Sequence, residues 1–180
     1  MKTRPLIQTT VYRASSLLYF RTIFGGKGAR LGSGGRFNRP GTPTIYVSFE
    51  PETAFLEYQQ GVMPPRPCAT VAAELLLKEV LDLTGDLAGQ QPDIQDWACD
   101  WEAAATSFAI NPKTPTSDCA SWRCSDIVRT SQLSGILYPS LRNPGRENLA
   151  IFPEEATAGN YYLQPHDPVG EIAAAAKGGI

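Results

Sequence analysis

Three residues in the N-terminal third of the chain have side chains that could act together on a nucleotide: Arg36, Tyr46 and Glu57. Arg36 lies in a glycine-rich segment, Tyr46 in a strand-like segment and Glu57 in a helix-like segment. A guanidinium fork suits pyrophosphate or ribose hydroxyls, and a tyrosine ring can stack on a flat heterocycle. A carboxylate can bind ribose hydroxyls and stabilise an adjacent oxocarbenium ion. If the three residues converge, they have the groups needed to cleave an N-glycosidic bond in a dinucleotide.

Each of these residues also fits an ordinary structural role. Arg36 could bind a main-chain carbonyl or a carboxylate from the acidic remainder of the chain, and Tyr46 could belong to a strand core. Glu57 could point to solvent from the polar edge of its helix and pair weakly with a nearby base. The spacing alone does not choose between these roles and a catalytic site.

The elements that would position these residues follow from glycines, prolines and apolar patterns. Residues 9–15 and 44–48 are typical of strands, and a helix is expected from Pro51 to about Gln60, with acidic residues near its N-terminus. Residues 25–35 contain six glycines, which predicts a loop whose backbone can approach a ligand closely. This loop matches neither a dinucleotide fingerprint nor a P-loop.

The rest of the chain predicts helices followed by strands. The apolar content of residues 69–84 suits helix or strand and their period does not decide between them, although their alanines and leucines favour helix. Helices are expected over 92–110 and 115–131, strands over 135–140, 147–152 and 161–165, and a loose tail over 166–180. Strands, then helices, then strands indicate one mixed α+β domain over residues 1–180 rather than alternating β-α-β units.

The composition is that of a globular domain. The chain has 180 residues, of which 42% are hydrophobic, with no apolar run long enough for a membrane span and no signal-peptide pattern. We therefore expect a cytoplasmic protein with no membrane partner. The four cysteines lack zinc-site spacing, and the single histidine, His166, lies far from them in sequence. We expect no metal and no catalysis by a Ser-His-Asp or Cys-His set.

Charge is distributed unevenly along the chain. Residues 1–49 hold eight of the 16 basic residues and no Asp or Glu, so all 18 acidic residues lie after them. An anionic ligand near the basic segment would account for this asymmetry, and so would balance by the acidic part after folding. The net charge of −2 and the lack of a basic helix or repeat argue against direct nucleic-acid binding.

Three segments form an ordered set of motifs. They are VYRAS (11–15), GARLGSGGRFNRPGTPTIYVSFEPETAFLEY (28–58) and SGILYPSLRNPGRENLAIF (134–152). Together they resemble the RES domain family, known as the toxin part of bacterial RES–Xre toxin–antitoxin pairs. The similarity extends over about residues 10–165, and Phe37 departs from it, since many members have tryptophan there.

The resemblance implies an ADP-ribosyltransferase-like fold, in which two small mixed sheets with flanking helices surround an NAD+ cleft. Glu57 would bind the nicotinamide ribose and stabilise the cationic transition state. Tyr46 would pack on nicotinamide, and Ser140 would place a hydroxyl on the ribose or help to position the attacking group. The implied catalytic residues are Arg36, Tyr46, Glu57 and Ser140, and the implied NAD+-binding residues are Arg13, Arg36, Tyr46 and Ser48.

The resemblance also implies an activity. Members of the family degrade NAD+ by hydrolysis or phosphorolysis, and some ADP-ribosylate a target. We therefore expect a metal-free, NAD+-degrading toxin enzyme. The alternatives are an ADP-ribosyltransferase with a protein or nucleotide target and a non-catalytic module that binds a nucleotide or a partner. A separate Xre-type antitoxin that occludes the cleft, and a homodimer, are both compatible with the sequence.

Overall fold

The computed structural model describes residues 1–25, 34–112, 118–155, 161–172 and 174. Within these residues the chain forms a mixed α+β domain, as the sequence predicts. The strands are β1 (Thr3–Ser15), β2 (Ile45–Ser48), β3 (Ala69–Asp82), β4 (Gly135–Pro139), β5 (Glu147–Ile151) and β6 (Tyr161–Pro165). The α-helices are α1 (Pro51–Gln59), α2 (Pro92–Gln95), α3 (Trp101–Ile110) and α4 (Ala120–Thr130), and a 3-10 helix spans Leu17–Thr22.

Five of these strands close into a barrel. Their hydrogen-bonded order is β1-β2-β5-β4-β3, and β3 also pairs with β1, which completes the ring. The pairing of β3 with β4 is parallel, and the other pairings in the ring are antiparallel. The prediction of two small sheets was wrong, because the strands of the described residues belong to a single sheet.

The length of β3 explains why one sheet forms. This strand has 14 residues, and one of its edges pairs with β1 from Ala69 to Leu81. Its other edge is shared, since Leu81 and Asp82 pair with β4 whereas residues 73–77 pair with β6. One long strand therefore closes the barrel and also carries β6 outside it.

The barrel strands have apolar residues on both faces. Leu137 and Leu149 belong to a core with residues from all five barrel strands, which fills the interior. Ile136 and Ala150 belong to a second core, which packs the outer face of the barrel against helices through residues such as Val128 of α4. Successive strand residues point to opposite faces, so a strand covered on both sides shows a continuous apolar run such as GILY.

The helices follow the prediction closely at α1 and less closely in the middle of the chain. α1 begins at Pro51 and ends at Gln59. The single helix predicted over 92–110 was wrong, because α3 begins separately where the Asp100 side chain accepts a hydrogen bond from the backbone N–H of Ala103. For the helix predicted over 115–131, residues 115–117 lie outside the described residues, and α4 begins at Ala120.

Some sequence expectations fall partly outside the described residues. Most of the glycine-rich loop over 25–35 does so, as does part of the tail over 166–180. None of the described helices is both long and apolar enough to cross a bilayer. The described residues also contain no group of three or more His, Cys, Asp or Glu side chains placed to hold a metal ion.

Gly135 begins β4 where the backbone of β5 passes very close. A Cβ atom here would lie 2.4 Å from the carbonyl oxygen of Ala150. We expect Gly135→Ala to lower the free energy of unfolding by about 2–3 kcal/mol, measured by urea denaturation, because the paired strands must move apart. Gly85→Ala is the matched control, since its Cβ would meet only the flexible ammonium group of Lys2. An equal loss in both variants would contradict this explanation.

Candidate functional site

A cavity of about 320 Å³ opens between the barrel, α1 and the loop that contains Arg36. Its volume lies at the lower end of the range for small-molecule sites. Strands β1, β2, β4 and β5, helix α1, the first turn of α3 and two loops form its walls. The predicted site residues that line the cavity are Arg13, Arg36, Tyr46, Ser48 and Glu57.

Four polar side chains cross this cavity in one row over neighbouring strands. The strand register pairs Tyr12 with Ser48, Ser48 with Asn148, and Asn148 with Tyr138. Directly opposite residues of antiparallel strands present their side chains on the same face, and all four line the cavity. The barrel therefore places a polar row beside a largely apolar outer core.

Glu57 of α1 faces this row and is held by two donors. Its Oε1 accepts hydrogen bonds from Ser140 Oγ at 2.7 Å and from Asn148 Nδ2 at 2.6 Å. Asn148 is fixed in turn, because its Oδ1 accepts a hydrogen bond from Ser48 Oγ at 2.6 Å. A hydrogen bond to a charged group contributes about 1.5–3 kcal/mol. One side of the carboxylate is thus fixed, and no described residue donates to Oε2.

Ser140 holds Glu57 from behind the cavity wall. Its side chain is 3% exposed, and its oxygen accepts hydrogen bonds from the backbone N–H groups of Arg142 at 3.2 Å and Asn143 at 2.9 Å. With the bond donated to Glu57, these contacts use the one donor and both lone pairs of a serine hydroxyl. Asn143 also donates to Thr53 Oγ1 at 2.9 Å. The loop after β4 and α1 are therefore joined at two points one helical turn apart.

Arg13 of β1 brings an unbalanced charge to the cavity. Its Nη1 atom is buried and has no hydrogen-bond partner in the described part of the chain. Burial lowers the pKa of Arg13 to about 10, against a smaller opposing effect of Tyr46. A buried donor without an acceptor costs about 1–3 kcal/mol. A guanidinium placed in this way on a cavity wall is suited to an anionic ligand.

The arginine loop, residues 34–38, is fixed to the barrel through Tyr46. The Tyr46 hydroxyl accepts a hydrogen bond from the backbone N–H of Phe37 at 2.9 Å and donates one to Asn38 Oδ1 at 2.7 Å. Burial raises the pKa of Tyr46 above its ordinary value, so the hydroxyl keeps its proton. The contact requires glycine at position 35, because a Cβ atom there would lie 2.7 Å from Asn38 Oδ1 and 2.8 Å from the Tyr46 hydroxyl.

Arg36 itself is held only lightly by the described residues. Its Nη1 donates to the carbonyl of Cys99 at 3.4 Å, and its guanidinium carbon lies 5.8 Å from the centre of the Trp97 ring. On the other side of the loop, Trp122 Nε1 donates to the carbonyl of Gly35 at 2.7 Å. The backbone that carries Arg36 is thus fixed, while most of its guanidinium fork is left for a ligand.

The basic residues of the N-terminal third whose side chains the structure describes divide into two groups. Lys2, Arg4 and Arg39 form ion pairs with carboxylates of the later part of the chain, at 3.4, 3.7 and 2.8 Å. Arg13 and Arg36 line the cavity, and neither is within ion-pair distance of a carboxylate among the described residues. Balance by the acidic part therefore explains the first group only.

Sequence reasoning missed Asn148 and Tyr138. Asn148 is 1% exposed and holds Glu57. The sequence feature that could have indicated this role is the one amide side chain at the start of the apolar run NLAIF. A polar side chain that is buried in a strand needs a hydrogen-bond partner, so this position could have been examined as a site residue. Tyr138 lies in an apolar strand, and nothing in its sequence context distinguishes it from a core tyrosine. Both roles depend on strand register, which the sequence did not indicate.

The cavity brings complementary chemical groups together. It combines a carboxylate with one free oxygen, a guanidinium without a partner among the described residues, and an aromatic ring. Such a set can bind an anionic ligand and stabilise positive charge that develops beside the carboxylate.

The fold is similar to that of a chain in the crystal structure of the M. tuberculosis MbcT–MbcA toxin–antitoxin complex, the MbcT toxin. The TM-score is 0.55 at 19% sequence identity, and the match covers 91% of this chain and 85% of that chain. At this identity the likeness concerns the fold alone. No curated protein is similar enough in sequence to count as a relative. The family model described as RES domain matches residues 10–169, which is most of the chain, and the chain therefore belongs to the RES domain family.

Proposed function

We propose that the chain is a toxin enzyme that breaks the N-glycosidic bond between nicotinamide and ribose in NAD+, by hydrolysis or by phosphorolysis. The observation that carries the proposal is a pair of charges in one cavity. Glu57 is fixed on Oε1 and free on Oε2, while Arg13 lines the same cavity and has no hydrogen-bond partner among the described residues. A ligand with a cationic reacting centre and phosphate groups would satisfy both charges, and NAD+ is such a ligand.

Glu57 supports bond cleavage in this mechanism. Its Oε2 accepts a hydrogen bond from a hydroxyl of the nicotinamide ribose. As the bond from ribose to nicotinamide breaks, its electron pair goes to the ring nitrogen and nicotinamide leaves uncharged. The ribose becomes an oxocarbenium ion, which the carboxylate stabilises. Water or phosphate then adds to the ribose carbon, and the proton that the nucleophile loses passes to solvent.

Arg13, Arg36 and Tyr46 bind and orient the dinucleotide. The two guanidinium groups hold its phosphates or a ribose, for which their planar forks are suited. The ring of Tyr46 packs on nicotinamide, while its hydroxyl holds the arginine loop. Because that loop is already tied to the barrel, little conformational entropy is lost there on binding.

Ser140 and Asn148 act as positioning residues in this proposal. Ser140 was expected to place a hydroxyl on the ribose or to position the attacking group. Its hydrogen-bonding capacity is used by Glu57 and by two backbone N–H groups, which favours a role through Glu57 instead. Ser48 lines the cavity, so it can contact NAD+, and it also holds Asn148.

The fold and the partner belong to the same proposal. The outer face of one closed barrel would provide the NAD+ cleft that the resemblance to ADP-ribosyltransferases implies. We propose that a separate antitoxin of the Xre type occludes this cleft in the cytoplasm, because the structurally similar MbcT was solved in a toxin–antitoxin complex. Leu141 lines the cavity and is 52% exposed, so it offers an apolar contact at the rim.

The prediction that tests the proposed activity concerns Glu57. The purified protein should release nicotinamide from NAD+, measured by chromatography in buffers with and without phosphate. Glu57→Gln should slow the release at least about a hundredfold with unchanged thermal unfolding, since glutamine keeps the shape but lacks the charge that stabilises the oxocarbenium ion. Glu52→Gln, at an exposed position of the same helix, is the matched control and should leave the rate unchanged.

The products of this assay separate the alternatives. Free ADP-ribose indicates hydrolysis, and a phosphorylated ADP-ribose that forms only in phosphate buffer indicates phosphorolysis. Labelled ADP-ribose on a protein or nucleotide would show a transferase instead. Binding of NAD+ without release of nicotinamide in any buffer would contradict the proposed enzymatic activity and would favour a non-catalytic binding module.

A further prediction is that the Arg13 side chain lowers the stability of the fold while it strengthens NAD+ binding. Arg13→Met removes a buried donor without an acceptor, so the free energy of unfolding should rise by about 1–2 kcal/mol in urea denaturation without ligand. NAD+ binding, measured by calorimetry, should weaken at least about tenfold, because a charge-assisted contact to phosphate is lost. Arg4→Met is the control: Arg4 lies outside the cavity and about half exposed. If the Arg13→Met protein is less stable than the unaltered protein, the Arg13 guanidinium does have a stabilising partner in the folded chain, and the explanation is wrong.

A further inference from the structure

Tyr138 of β4 is a cavity residue whose hydroxyl has no hydrogen-bond partner in the described part of the chain. Its side chain is 7% exposed and lines the cavity. Among the described residues, the side-chain nitrogen and oxygen atoms that are both buried and without a hydrogen-bond partner are Arg13 Nη1 and Arg129 Nε. The Tyr138 oxygen is not among them, so it is accessible from the cavity. A largely buried tyrosine hydroxyl normally finds a partner. This one is open to a ligand in the cavity.

The ring of Tyr138 is held in place by two aromatic neighbours. Its centre lies 4.9 Å from that of Phe37 at an interplanar angle of 64°, and 5.7 Å from that of Trp97 at 63°. Both neighbours belong to the outer core, so the hydroxyl is directed to a fixed point. Burial raises the pKa of Tyr138, which keeps the hydroxyl protonated and able to donate.

The hydroxyl lies toward the aromatic part of the cavity. Phe37 contacts the ring of Tyr138 and donates its backbone N–H to the hydroxyl of Tyr46, so it links the two tyrosines. Tyr138 also lies opposite Asn148, the residue that holds Glu57. Both Tyr46 and Glu57 lie near enough to raise the pKa of Tyr138, after the larger effect of burial, so the hydroxyl belongs to the same part of the cavity as the ring proposed to pack on nicotinamide and the carboxylate proposed to face the ribose.

We infer, on the basis of the proposed function, that the Tyr138 hydroxyl donates a hydrogen bond to the carboxamide oxygen of nicotinamide and so selects the leaving group. The carboxamide is the polar substituent of an otherwise flat ring, and one fixed donor to its carbonyl orients the ring over Tyr46. The bond strengthens as the ring takes up the electron pair of the breaking bond, so it favours the transition state over the bound substrate.

The test compares the unaltered protein with Tyr138→Phe on two substrates. One is NAD+, and the other is pyridine adenine dinucleotide, in which hydrogen replaces the carboxamide. For NAD+, kcat/KM should fall about tenfold in the variant, whereas for the analogue it should stay within about twofold. Phenylalanine keeps the ring that the aromatic neighbours contact, and thermal unfolding checks the fold. Tyr162→Phe, at an exposed position in β6, is the control and should change neither value.

Each other outcome overturns the assignment in a recognisable way. An equal fall on both substrates would place the hydroxyl on the ribose or a phosphate. An unchanged kcat/KM for NAD+ would show that Tyr138 contacts no reacting part of the ligand. No release of nicotinamide by the unaltered protein would overturn the proposed function and this assignment together, whereas release with an unaffected variant would overturn the assignment alone.

Discussion

The two hydrogen bonds on Glu57 Oε1 are the interaction on which the rest of the site depends. They join α1, the loop after β4 and strand β5 at a single oxygen atom. Both donors are buried and bonded elsewhere, Ser140 to backbone N–H groups and Asn148 to Ser48. Loss of any member would leave a buried polar group without its partner, which costs more than the bond itself. The direction of Glu57 is therefore set by the barrel as much as by its own helix.

Arg13 shows the opposite condition a short distance away. Glu57 has its partners in place, whereas Arg13 has no hydrogen-bond partner among the described residues and its Nη1 atom is buried. Strain of this kind is tolerated when the surrounding structure fixes the group, and the closed barrel does so through the pairing of β1 with β3. An anion in the cavity that contacts the accessible part of the Arg13 guanidinium would balance its charge, and so stabilise the folded state as well as bind to it.

The parts of the site that could be predicted from the sequence are the local ones. Helix α1 was evident from Pro51 and its acidic first turn, and the motif resemblance supplied Ser140, which lies 83 residues from its partner Glu57. Asn148 and Tyr138 could not be predicted, because their places depend on the register of strands that are distant in sequence. The barrel was missed for a related reason. The period of residues 69–84 does not separate helix from strand, and the closure depends on their pairing with β1.

The order of these parts along the chain has a consequence for synthesis. Arg13, Arg36 and Glu57 leave the ribosome early, but the two donors to Glu57 arrive with the loop after β4 and with β5. Until then β2 also lacks its neighbour β5, so the row from Ser48 to Asn148 does not exist. Domains fold as units once their long-range pairings are available. A growing chain therefore holds an unassembled cavity through most of its translation, and Glu57 acquires its two donors only when the barrel can close.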